Sequence, residues 1–87
     1  MIERGIKLSR WLAFLKWQST QSSNVAALKY TRSTSKLRVE FNSGSIYEYE
    51  NVPEDLYLSI LNASSVGSTF YWELREKPQL YPYKRIS

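Results

Sequence analysis

The sequence predicts an α+β domain: an N-terminal helix, a three-stranded antiparallel meander, and two short C-terminal helices packed on one face of the sheet. Three observations lead there. Residues 8–15 repeat apolar side chains at helical spacing, residues 25–50 alternate in twos between polar turns, and residues 53–77 return to helical spacing behind a proline. The 87 residues suffice for one domain, and a hydrophobic content of 43% suffices for one core. The expected organisation is an amphipathic helix over residues 1–18, a polar connector over 19–24, and an α+β domain over 25–87.

In the leading segment, residues 6–17, Leu8, Trp11, Leu12 and Leu15 line one helical face. Ile6, Ala13 and Trp17 stand opposite, with Phe14 on the flank beside Lys7 and Arg10. A helix that is apolar on two sides packs one on the domain and leaves the other for a partner. It is too short and too charged to cross a bilayer, which takes roughly 20 apolar residues. Charges also interrupt it where a secretory signal would be apolar.

After the connector come three strands. The first is "VAALKY"; the second, "KLRVEF", sets Leu37, Val39 and Phe41 on one side and Lys36, Arg38 and Glu40 on the other. "NSG" turns the chain, with Gly44 supplying the positive φ of a hairpin loop. "SIYEYENV" then separates Tyr47 and Tyr49 from Ile46, Glu48 and Glu50. Two carboxylates resist burial without partners, so the tyrosines read as inward and Glu48 and Glu50 as paired across strands with Lys36 and Arg38. Pro53 opens a helix, with Glu54 and Asp55 in a first turn where the helix dipole favours them. Gly67 is placed to end it, Ser68 to cap a second helix, and Pro78 to stop that one. The tail is extended around Pro82. The expected core is Leu37, Val39, Phe41, Tyr47, Tyr49, Leu56, Ile60, Phe70 and Leu74.

Taken in order, "VAALKY", "KLRVEF-NSG-SIYEYENVP", "LYLSILNASSVGSTF" and "LREKPQLYPYKRI" resemble the KTSC domain, over residues 24–86. That module is named after the C-terminal segment of some lysyl-tRNA synthetases and also stands alone in small bacterial and phage proteins. Tyr47-Glu48-Tyr49 with Val52-Pro53, then Ala63-Ser64, Gly67 and Phe70, carry the likeness. Tyr71 departs from it, standing where the pattern has Asn, and the leading helix lies outside it. The resemblance points to RNA binding and implies no catalytic residue.

The residues themselves point away from catalysis. With no Cys and no His, the usual zinc ligands and the usual neutral-pH base are missing, and no metal or cofactor is expected. No phosphate-binding glycine loop or nucleophile elbow appears. The lack of cysteine fits a reducing, cytoplasmic setting. Charge, by contrast, is polarised. Residues 1–38 hold eight cationic side chains against Glu3 alone, while residues 39–83 hold seven acidic ones against Arg75 and Lys77. A polyanion would be drawn to the basic part.

The expected function is therefore non-catalytic binding of RNA, single-stranded or tRNA-like. Its candidate residues are Lys7, Arg10, Lys16, Trp17, Arg32, Lys36, Arg38, Tyr81, Tyr83, Lys84 and Arg85: cations for phosphates, rings for unpaired bases. The alternative is a protein interface, in the manner of a phage factor on a host protein or of self-association, through Ile6, Phe14 and Trp17. Membrane attachment by the same helix is weaker, because its polar face is narrow.

Overall fold

The strict alternation of residues 36–41 is the most regular signal in the chain, and the sheet is built outward from it. The computed structural model describes residues 17–87. Five strands follow one another in an antiparallel sheet of order 1-2-3-4-5: β1 (Gln18–Ser19), β2 (Val25–Thr31), β3 (Lys36–Phe41), β4 (Ile46–Tyr49) and β5 (Tyr83–Arg85). Helix α1 (Glu54–Leu61) and helix α2 (Val66–Phe70) lie between β4 and β5 in the chain, and α2 runs on into a π-helical turn, Tyr71–Arg75.

The three-stranded meander is thus corrected to five strands. β1 and β5 were missed because two or three residues cannot display an alternation. Both are edge strands, and what holds them is backbone pairing to a neighbour. Tyr83, Lys84 and Arg85 stand opposite Tyr49, Glu48 and Tyr47, and Ile46 N donates to Ser87 O at 3.0 Å. β1 likewise starts in the segment expected as helix and connector, with Gln18 opposite Leu28. The leading helix expected over residues 6–17 falls outside the described residues except for Trp17, which is irregular and half-buried. The second C-terminal helix also begins earlier than expected, at Val66, so Gly67 sits inside α2 rather than ending α1. A Cβ on Gly67 would come within 2.5 Å of Asn24 Oδ1 and 2.7 Å of Ser22 Oγ. Close approach of the β1–β2 loop, not a left-handed turn, is what glycine permits there.

Tyr49 faces Leu37 across the β3–β4 ladder and Tyr47 faces Val39, so both rings share the side of the sheet that the helices cover. That side holds the core. Val25, Leu28, Tyr30, Leu37, Val39 and Tyr49 come from the strands, and Val52, Tyr57, Ile60, Val66, Phe70 and Leu74 close over them. Phe41, Tyr47 and Leu56 pack at its margin, half-buried.

Two contacts pin α1. The Tyr30 ring stacks on Tyr57 at 4.9 Å, and its hydroxyl donates to Val52 O at 2.6 Å. Outside the core, Arg32 makes two bonds of 3.1 Å to the Glu54 carboxylate at the head of the helix. Asn51, at φ 62°, turns the chain out of β4 toward Pro53, a left-handed conformation that Asn tolerates.

Tyr30→Phe leaves the Val52 carbonyl buried without this donor. A loss of about 1–3 kcal/mol is expected, read as a lower urea midpoint with an unchanged slope. Burial also pushes the Tyr57 hydroxyl up to about 12, and burial does the same for Tyr49, also about 12, against the opposing charge of Arg75. The unfolded chain ionises near pH 10 while the folded chain holds these protons. Stability is therefore full below pH 10 and falls between pH 10 and 12, by up to about 3 kcal/mol for Tyr57. Urea unfolding below pH 10 and near pH 12 should show a smaller drop in Tyr57→Phe than in the parent chain.

Candidate functional site

On the side of the sheet opposite the core, one row crosses four strands: Lys29 on β2, Arg38 on β3, Glu48 on β4 and Lys84 on β5. Period-two alternation puts them there, since each is flanked along its strand by residues of the other face. Glu48 is the pivot. Its carboxylate accepts from Arg38 Nε at 3.0 Å and lies 3.8 Å from Lys36 Nζ and 3.9 Å from Lys84 Nζ.

Exposure divides these partners sharply. The Glu48 side chain is 8% exposed, whereas Lys36, Arg38 and Lys84 are 38%, 48% and 61% exposed. The carboxylate is thus nearly withdrawn from water while each of its partners stays partly in it, as long cationic side chains can when their stems lie along the surface. One sunk anion thus gathers three cations that would otherwise repel, and the face turned to solvent at this row is positive. A carboxylate so occupied is poorly suited to general acid or base work.

Of the residues expected to bind nucleic acid, the fold brings Lys36, Arg38 and Lys84 together. Arg32 is held away from them by Glu54. Tyr83 and Arg85 fall on the helix side of β5, where the Tyr83 ring stacks on Tyr49 at 5.2 Å and Arg85 Nε donates to Ser87 O at 3.0 Å. Tyr81 packs against the core, half-buried. Trp17 directly precedes β1, and Lys7, Arg10 and Lys16, with Ile6 and Phe14 of the alternative interface, lie outside the described residues.

Lys29 was missed, although its place between Leu28 and Tyr30 marks it as outward. Trp72 was missed as well. It is 62% exposed on the π turn beside Tyr71, their ring centroids 5.1 Å apart. Nearby, the β1–β2 loop and the α1–α2 junction enclose a cleft of about 730 Å³, and the described residues that line it include Ser, Thr, Asn and Gln but no charged side chain. Among the described residues no group of three or more His, Cys, Asp or Glu is placed to hold a metal ion, and no helix is long and apolar enough to cross a membrane.

Glu48→Gln removes the charge that holds Lys36, Arg38 and Lys84 at one point. A stability loss of about 1–3 kcal/mol is expected in dilute buffer, partly recovered at about 1 M salt, where their repulsion is screened. Urea unfolding at the two ionic strengths measures it.

Comparison with known proteins gives concordant matches. A family model described as the KTSC domain matches residues 21–77. An uncharacterized protein of Stutzerimonas stutzeri is 40% identical over 72 residues, which cover 83% of this chain and 99% of that protein. A lysine–tRNA ligase of Nostoc is 41% identical over 67 residues, 77% of this chain but only 11% of the ligase. Among solved structures, a KTSC domain protein from Yersinia pestis superposes with a TM-score of 0.75 at 24% identity, covering 83% of this chain and 97% of that one.

Proposed function

The chain belongs to the KTSC domain family, and on that premise we propose that it is a non-catalytic module that binds RNA by its phosphate backbone. The contact surface is the outer face of the sheet, at Lys29, Lys36, Arg38 and Lys84. One observation carries this reading: three cations converge on a single buried carboxylate while their side chains stay partly exposed. Such a surface offers several positive charges already held in place, so little side-chain freedom is left to lose when a polyanion docks. The kinship with a short segment of lysine–tRNA ligases, enzymes named for an RNA substrate, supports RNA over DNA. So does the lack, among the described residues, of a helix presented for a DNA groove, since α1 packs on the core.

One phosphate contact for each of the three cations gathered at Glu48, on a single strand, implies an affinity that falls about twentyfold between 50 and 200 mM salt, at roughly 0.7 counterions per contact. Fluorescence anisotropy with a labelled single-stranded or tRNA-like RNA measures the slope. Lys36→Gln and Lys84→Gln should each flatten it by about one contact. A salt-independent affinity, or no binding at low salt, refutes the reading.

A further inference from the structure

On the opposite side of the sheet the helices stop short of β5, and the uncovered rings form a second, smaller concavity. Phe41, Tyr47, Tyr49 and Tyr83 wall a cleft of about 270 Å³, with Arg75 from the π turn at its margin. Tyr83 stacks on Tyr49 at an interplanar angle of 28° and stands 5.8 Å from Tyr47, which in turn meets Phe41 edge-on at 5.7 Å. The volume lies just under the ~300–1,000 Å³ of ordinary ligand pockets, so it suits one planar ring system and not an extended ligand.

Two polar groups in this cleft make no side-chain hydrogen bond or ion pair among the described residues. Arg75 is exposed and pairs with no carboxylate among the described residues; its Cζ lies 5.8 Å from the centre of the Tyr71 ring, and its charge reaches the Tyr49 hydroxyl. Tyr49 is only 2% exposed; its hydroxyl makes no hydrogen bond among those residues and is not itself a buried atom, so what remains open of this side chain is its polar end. Burial keeps that hydroxyl protonated up to about pH 12, so it stays a donor. Ser45 adds a hydroxyl at the rim. The π turn is what delivers the guanidinium: Glu76 N reaches back five residues to Tyr71 O, at 3.0 Å, while Leu74 remains in the core. Insertions of this kind recur at functional sites.

Ring walls accept the face of a planar group, and a guanidinium with hydroxyl donors accepts a phosphate. We propose that this cleft is a subsite for one unpaired nucleotide, its base among the tyrosines and its phosphate on Arg75. The inference rests on the RNA reading and deepens it. β5 links the two surfaces, because Tyr83 lies in the cleft while the adjacent Lys84 lies among the outer cations, so a strand crossing this edge meets both.

The test is NMR titration of the full chain with adenosine 5′-monophosphate, adenosine and inorganic phosphate, beside anisotropy with a single-stranded oligonucleotide. The mononucleotide should shift Tyr47, Tyr49, Tyr83 and Arg75 together and bind more tightly than adenosine or phosphate alone. Arg75→Gln should weaken it about tenfold, Tyr49→Phe several-fold, and Lys77→Gln, a charge loss on the exposed surface nearby, not at all. If the oligonucleotide binds with its salt slope but the mononucleotide leaves these residues unmoved, or Arg75→Gln has no effect, the cleft proposal falls and the outer-face reading stands. If the mononucleotide binds in the cleft while the oligonucleotide shows no salt slope, the cleft stands and the outer face is excluded.

Discussion

The alternation of Ile46, Tyr47, Glu48 and Tyr49 along β4 places two rings on the helix side of the sheet and one carboxylate on the other. The rest of the molecule is arranged around that division. On one side Tyr49 meets Leu37 across the ladder and Phe70 edge-on at 5.4 Å, joining sheet to helix. On the other, Glu48 draws cations from β3 and β5 to a single point. A slip of one residue in this register would expose the rings and bury the carboxylate away from its partners. Both errors cost free energy, so the register is specified twice over.

The two sides answer to different physics. The covered side is bound by apolar burial and by the Tyr30–Val52 hydrogen bond, and it has limited coverage because α1, α2 and the π turn are short. What the helices leave bare is the β5 margin, where aromatic rings form walls instead of core. Among the described residues no helix covers the outer side, and its order comes from charge. Salt therefore acts on the outer face far more than on the core, which makes ionic strength the natural variable for separating binding from folding.

Much of the outer face was legible in the residues. "KLRVEF" and "SIYEYE" carry their alternation openly, so the pairing of Lys36 and Arg38 with a glutamate could be read without coordinates. Arg32 and Arg85 could not be sorted from them by composition, because only the fold sends one to Glu54 and the other to the helix side of an edge strand. Arg75 carried no signal as a site residue. It follows Leu74 in what reads as an ordinary helix, and the widened turn that carries it to the cleft has no mark in the local sequence.

The residue order alone determined that this is an α+β chain whose middle is a hairpin with tyrosines inward, since period two against period 3.6 is a local property that burial then enforces. It also determined that the usual thiol and imidazole chemistry is absent. Only the tertiary structure decided that the sheet has five strands, that Glu48 is shared by three cations from two strands, and that a cleft opens beside Arg75. Each of these depends on partners distant in the chain. Edge pairing, a shared counter-ion and the gap left by a short helix are properties of neighbours in space, and no window of sequence contains them.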